Sequence, residues 1–182
     1  MNLAFPKPYA DFVARLRVPG GFILVAAFAW FAHPDPRSLA CGLPLSVAGL
    51  ALRAWAAGHL AKNQALAASG PYAYTRNPLY LGTLLVAVGL AVASRSVSLA
   101  ALFAVVFVSI YLPVIQLEQQ HLRSLFPDYS AYATRVPALL PRMTPAAPPR
   151  PFQWSLYIKN REYQAAAGFL AGALFLIWKA LR

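Results

Sequence analysis

Two short segments hold most of the residues able to do chemistry. The first is Ser69-Gly70-Pro71-Tyr72-Ala73-Tyr74-Thr75-Arg76-Asn77-Pro78-Leu79-Tyr80-Leu81-Gly82, with three tyrosines and an arginine among its fourteen residues. Gly70-Pro71 signals a turn, and Asn77, driven out of the α region by the proline after it, is expected to cap a helix whose first position is Pro78. A helix N-terminus offers free amide hydrogens and a partial positive charge, which suit a carboxylate or phosphate. The plainer reading makes Tyr72, Tyr74 and Tyr80 interfacial anchors and Gly82 a close-packing position. The second segment runs from Glu118 through His121, Arg123, Phe126, Tyr129 and Tyr132 to Arg135-Val136-Pro137. With only five acidic residues in the chain, a carboxylate closing a long apolar run is a functional candidate, so Glu118 leads. A salt bridge from Glu118 to Arg123 or Arg76, or plain solvent exposure at a helix end, is the simpler alternative. His121, with no carboxylate or thiol partner in view, reads as an interfacial histidine before a general base.

The elements that must position these segments follow from composition. The 182 residues are 59% hydrophobic and 12% charged, with a net charge of +11, and a soluble domain carries about a quarter charged residues. Mean hydropathy is +0.53. The chain therefore reads as an all-α integral membrane protein. About five apolar stretches approach the roughly 20 residues that cross a bilayer: Val18 to Ala32, Leu39 to Ala57, Pro78 to Ala93, Val97 to Leu117, and Tyr163 to Leu181. Ser94-Arg95-Ser96 leaves room only for a tight hairpin between the third and fourth. With the N-terminus cytoplasmic, twelve Lys and Arg fall on that side and four on the other, a positive-inside asymmetry. Segments 58 to 77 and 118 to 161 then form a cytoplasmic cap, where soluble chemistry belongs.

Other classes fall away. Basic residues sit singly between apolar blocks, a pattern of membrane flanks and not of a nucleic-acid partner. Cys41 is the lone cysteine, and no Cys/His cluster has metal-site spacing, so no metal site is expected. The N-terminus, with Pro6, Pro8 and Asp11 ahead of any apolar run, lacks a signal-peptide pattern, so its first residues are expected to be kept. Residues 1–182 form one domain. Six prolines between Pro137 and Pro151 make that stretch an extended linker. Phe152 to Arg161 reads as an interfacial aromatic stretch.

Gly70-Pro71-Tyr72, Arg76-Asn77-Pro78-Leu79-Tyr80-Leu81-Gly82, Glu118 to Leu122, Phe126, Tyr129, Tyr132, Arg135-Val136-Pro137 and Leu140-Pro141 together resemble the isoprenylcysteine carboxyl methyltransferase family. More broadly they resemble the membrane methyltransferases that include phospholipid N-methyltransferases. The resemblance covers about residues 50 to 142. It implies S-adenosylmethionine as methyl donor in a cytoplasmic pocket and a lipophilic or lipid-modified acceptor arriving from the bilayer. Carried over by position, Tyr72, Asn77, Pro78, Leu79, Tyr80 and Glu118 match cofactor-contacting positions, and so do Gln64, Ala65, Leu66 and Ala67 upstream. Asn77 replaces the family's histidine and cannot titrate. Val114 stands where the family places an arginine for the acceptor's carboxyl end, four residues before the glutamate.

The activity implied is carboxyl methylation of an isoprenylcysteine-type substrate, with methylation of a phospholipid or lipid amine as the alternative. The pocket is expected to close toward the cytosol through residues 118 to 142 and to open to lipid between spans. A non-catalytic packing or partner-binding protein, using Gly82 and Gly89 for helix association, is the rival from another class. A transporter is disfavoured by the lack of a buried ionisable pair in any span and of a repeat.

Overall fold

The computed structural model describes residues 5–182, without the side chains of residues 17–19. The first four residues, expected to be retained, lie outside the described residues. Eight α-helices follow in chain order: α1 Lys7–Phe31, α2 Pro36–Ala57, α3 Pro78–Ser94, α4 Val97–Val106, α5 Leu112–Leu125, α6 Tyr129–Arg135, α7 Trp154–Lys159 and α8 Tyr163–Ala180. A 3-10 turn, Gly70–Ala73, precedes α3, and a π-helical turn, Phe107–Tyr111, joins α4 to α5. The described residues contain no strand.

Length and composition qualify three helices as membrane spans: Pro36–Ala57, the continuous rod Val97–Leu125, and Tyr163–Ala180. Lys7–Leu16 and Gly20–Phe31, bent by 55°, make a fourth if taken together. The remaining apolar helix, Pro78–Ser94, has 17 residues and reaches about 26 Å at 1.5 Å per residue. The expected apolar run from Val97 stops at Leu117, but the helix continues to Leu125. At 29 residues it is about 44 Å long against a hydrocarbon core of about 30 Å. The helix is thus about 14 Å longer than a span requires, its last turns forming a stalk, and Glu118 stands inside it and does not end it.

α2 and α3 touch backbone to backbone through glycines. A Cβ on Gly42 would lie 2.4 Å from the Gly89 carbonyl oxygen, and one on Gly49 would lie 2.6 Å from that of Gly82. Ser46 between them donates its hydroxyl to Val86 O, and Ser38 donates to Ala93 O. Gly82 and Gly89 thus serve packing within the chain. The predicted hairpin forms with Arg95 left-handed at φ 51° and Ser96 accepting from the Leu99 amide. Arg95 pairs there with Asp35, whose carboxylate also caps α2. The backbone amide of Ser38 holds the Asp35 carboxyl below its ordinary range against desolvation, with a lesser contribution from the Arg95 guanidinium. Ala32, Ala93, Leu99 and Leu176 form the core at this end of the bundle.

A second core holds the cap at the other end. Tyr129, Tyr132 and Val136 are buried together, with Leu66, Leu122, Phe126 and Ala146 packed against them. The proline-rich stretch proves not to be a free linker. The Arg76 amide donates to Pro137 O, Arg142 to Tyr74 O, Ala146 to Ala73 O and Gln153 to Gly58 O. A chain without regular structure satisfies its backbone by borrowing that of the 58–77 loop, so residues 137–153 form a strap across it. The aromatic stretch after it is also docked. Phe152 lies over Gly58 and against His59, and the Asn160 amide donates to Ala57 O and Leu60 O, although Trp154 remains largely exposed.

Candidate functional site

The site forms where the 58–77 loop, the α3 N-terminus, the α5 stalk and the strap converge. Gly70 adopts φ +58°, and a Cβ there would strike the His59 ring at 2.6 Å, so the turn read from Gly70-Pro71 requires glycine. That turn buries Tyr72 at 6% exposure, and its carbonyl accepts the Tyr132 hydroxyl at 2.8 Å. Tyr80 sits in the first turn of α3, also buried, and donates its hydroxyl to Glu118 Oε2 at 2.8 Å. Glu118 is otherwise exposed, and neither Arg76 nor Arg123 forms a salt bridge with it. Tyr72 and Tyr80 are therefore interior residues of the site, not interfacial anchors; Tyr74 is half-buried, its ring beside Trp55.

Asn77 occupies the N-cap position of α3, as predicted, but its side chain does not cap the helix. Its amide donates instead to Ala138 O at 2.6 Å, and the Thr75 hydroxyl donates to Leu139 O at 3.0 Å. Both side chains hold the strap down, which leaves the amides of the first α3 turn without a side-chain cap. Pro78 is buried and Leu79 half-buried beside them.

The upstream stretch is brought to the same region. Leu66 joins the cap core, and Asn63 Oδ1 lies 3.4 Å from Nε2 of the exposed His121. Gln64 and Ala65 are exposed and form a turn back to Ala61, with Ala67 half-buried beyond them.

Several participants carry no sequence signal of their own. Arg53 forms a two-point pair with Glu162, through Nε to Oε1 and Nη2 to Oε2, and its other nitrogen donates to Thr83 Oγ1 and Leu79 O. A pair linking the ends of two spans was not foreseen, because only the fold brings residue 162 back to residue 53. The chain's two glutamates, 118 and 162, both act on Tyr72. Burial pushes the Tyr72 hydroxyl far above the ordinary tyrosine range, and Glu118 adds to that. Burial likewise raises Tyr132, and Tyr129 against the opposing Arg76 guanidinium. Arg76 Nε is buried with no hydrogen-bond partner, a donor facing this cluster unsatisfied.

Beyond Tyr111 lies a half-open cavity of about 920 Å³ between α1, α3, α4 and α8. Its walls are almost wholly apolar, with Phe28, Leu84, Phe103, Phe169 and Phe175 among them. Thr83, Phe107 and Tyr111 close the end nearest the site, and Arg95 and Ser96 lie at the other. The Tyr111 ring meets Tyr80 edge-on at 6.1 Å. Among the described residues, no group of three or more His, Cys, Asp or Glu could hold a metal ion.

Apolar helices long enough to span a bilayer, joined by a polar cap that holds the Tyr80–Glu118 pair, define an all-α integral membrane protein. The sequence model of the phospholipid methyltransferase family matches residues 41–129, from α2 to the start of α6. The chain belongs to this family of membrane methyltransferases. It is 38% identical over 105 residues to the cobalt-zinc-cadmium resistance protein CzcN of Cupriavidus metallidurans, covering 57% of this chain and 47% of that protein. It is 30% identical over 154 residues to the nickel-cobalt-cadmium resistance protein NccN of Alcaligenes xylosoxydans xylosoxydans, covering 78% of this chain and 72% of the relative. The chain thus spans about half of CzcN and nearly three quarters of NccN. No solved structure matches it.

Proposed function

We propose that the protein is an S-adenosylmethionine-dependent methyltransferase acting on a lipophilic acceptor, with its site and N-terminus on the cytoplasmic face. The observation that carries the reading is the Tyr80–Glu118 bond beside Tyr72, one wall away from an apolar cavity of about 920 Å³. The residues present fit the donor chemically. The unpartnered Arg76 Nε and the uncapped amides of the first α3 turn suit its carboxylate, while Glu118 suits its ammonium or ribose hydroxyls. Gln64, Ala65, Leu66 and Ala67, the rim nearest His121, would border the same ligand, as would Asn77, Pro78 and Leu79. Bound there, S-adenosylmethionine supplies a methyl group whose bond to sulfur breaks as a lone pair of the acceptor takes it, the sulfur keeping the bonding pair. The protein's own work is alignment and exclusion of water, with the strap as roof and no covalent catalyst required.

The cavity suits the hydrocarbon part of the acceptor, drawn from the membrane lipids around it. Two features favour a lipid amine over the carboxylate of an isoprenylcysteine-type substrate. Val114 offers no positive charge, and Arg53 is already committed to Glu162, while Glu118, which has no salt bridge, makes the surroundings of Tyr72 favourable to a cation. The positive-inside asymmetry supports the cytoplasmic assignment.

The names of the two relatives support a second reading, in which this methylation serves resistance to cobalt, zinc, cadmium or nickel through its product and not through a metal held by this chain. Growth on those metals of cells lacking the gene, complemented with wild type or Glu118→Ala, tests it.

The primary test is titration of S-adenosylhomocysteine into purified protein. Saturable binding is expected, weakened by about 1–3 kcal/mol in Glu118→Ala and Tyr80→Phe, the range for losing a hydrogen bond to a charged group. A folded wild-type protein that binds none would overturn the reading, and methylated products in lipid extracts would identify the acceptor.

A further inference from the structure

We propose that the cavity also seats an anionic phospholipid, its headgroup held by Arg95 and Lys179 at the membrane face opposite the cap and its chain lying between α1, α3, α4 and α8. This lipid is a ligand of the protein and not its methyl acceptor, and its binding does not depend on the donor assigned above.

The cavity has two unlike ends. Its α3 wall runs from Thr83 to Arg95, about 18 Å at 1.5 Å per residue, which exceeds the roughly 15 Å of hydrocarbon in one leaflet. Near the site that wall is half-buried, from Thr83 to Ala87, whereas Val88 and Val92 farther along it are exposed. Val97, just past the hairpin, lines the same cavity and is 85% exposed. On this wall the cavity opens to the bilayer at its hairpin end, away from Tyr80 and Glu118.

That opening carries positive charge. Arg95 lines it, exposed, and places Nη1 on Asp35. Lys179 donates to the backbone oxygen of Ala29 and lies 6.0 Å from the centre of the Phe175 ring, and both of those residues line the cavity. A guanidinium has five N–H donors and an ammonium three, so each group keeps donors for a further acceptor. Asp35 is the one acidic residue at this end among the described residues, so the two cations leave a net positive charge beside an apolar groove.

A soluble anion would use the charges and leave the groove empty, and a plain hydrocarbon would fill the groove and ignore the charges. A molecule with an acidic headgroup and a long apolar chain uses both, and the surrounding bilayer is its source. Held at Arg95, its headgroup stays at least about 18 Å along α3 from the Tyr80–Glu118 pair, too far to accept a methyl group there. Lipid and acceptor would enter one cavity from opposite ends, so the bound lipid limits the room left for an acceptor's chain.

The test is equilibrium binding of phosphatidylglycerol and of phosphatidylcholine with identical chains to the full-length, detergent-purified protein, counted by native mass spectrometry with folding checked by gel filtration. The wild type is expected to favour phosphatidylglycerol by about 5- to 25-fold, the effect of one to two basic residues at a lipid surface. Lys179→Gln and Arg95→Gln are each expected to cut that preference about five-fold. Gly172→Phe keeps both charges and sends a ring into the cavity from a position where a Cβ meets nothing within 4 Å. It is expected to weaken both lipids about ten-fold, equivalent to about two methylenes kept out of the cavity.

Equal affinity of the wild type for the two lipids, or an unchanged preference in Lys179→Gln, would overturn the proposal. Undiminished binding in Gly172→Phe would overturn it as well, by showing a headgroup drawn to the surface with no chain inside. If Arg95→Gln does not fold, Lys179→Gln decides, because it leaves the Arg95–Asp35 pair in place. S-adenosylhomocysteine titrated into the same samples separates the two readings: a wild type that shows the lipid preference and binds none of it overturns the donor assignment alone.

Discussion

Arg53 and Glu162, separated by 109 residues, join the end of α2 to the start of α8 through two parallel contacts. Their side chains are 21% and 10% exposed, so both charges have largely left water. Removing one partner strands the other, at a cost of about 3–5 kcal/mol for a buried pair, whereas removing both leaves no uncompensated charge. Thermal unfolding in detergent should therefore rank Arg53→Met below the double variant Arg53→Met/Glu162→Gln. Additive losses would show that the two residues act independently.

The glycines divide into two kinds with opposite predicted behaviour. Gly42→Ala and Gly49→Ala drive a methyl into backbone atoms of α3 and should destabilise by about 1–3 kcal/mol or more. Gly168 and Gly172, on α8, line the cavity, and a Cβ on either meets nothing within 4 Å. Alanine there should be neutral or stabilising by up to about 1 kcal/mol, since it restricts the unfolded chain. Gly172→Phe should occupy the cavity, lowering acceptor methylation while leaving S-adenosylhomocysteine affinity unchanged. Equal binding losses for donor product and acceptor would contradict the separation of the two sites.

The buried tyrosines predict an alkaline limit. Burial raises the hydroxyls of Tyr72 and Tyr132 above the ordinary value of about 10, so the folded protein keeps protons that the unfolded chain releases. Their contribution to stability is complete below about pH 10 and is lost as pH climbs toward the folded values. Phenolate absorbance should show these two hydroxyls ionising only together with unfolding, and Tyr72→Phe should flatten the alkaline fall in stability.

Asn77 and Thr75 hold the strap, so weakening them should free it without dismantling the bundle. Asn77→Ala and Thr75→Val remove the donors to Ala138 and Leu139, at about 1–3 kcal/mol for each acceptor left buried and unpaired. Faster proteolysis within 138–150, with weaker cofactor binding and unchanged helix content, is the expected result. Resistance equal to wild type would mean that the backbone contacts alone retain the strap.

Much of this architecture is legible in the sequence because it follows from local rules. Apolar length marks the membrane helices, Ser94-Arg95-Ser96 marks the hairpin, and Gly70-Pro71 and Asn77-Pro78 mark a turn and a helix start. Motif resemblance brings Tyr80 and Glu118 into one site, and the structure joins them directly. What escapes has no local signature. Asn77 looks like a cap, but a carbonyl of the strap sixty-one residues later competes for its amide. Six prolines suggest a free linker because composition cannot reveal that another loop will supply hydrogen-bond partners. Arg53 resembles a positive flank of a span until Glu162 is folded against it, and the π-helical turn Phe107–Tyr111 has no compositional trace.

The strap also sets an order of events during synthesis. The carbonyls of Ala73 and Tyr74 await the amides of Ala146 and Arg142, and Arg53 awaits Glu162. The helices up to Leu125 can therefore be made and inserted while the site still lacks its roof and one of its two glutamates. A nascent chain halted between Pro141 and the last helix would hold the family's recognisable motifs and yet lack the Glu162 partner of Arg53. The contacts that close the cap thus form late, only once the residues beyond Pro141 have been made.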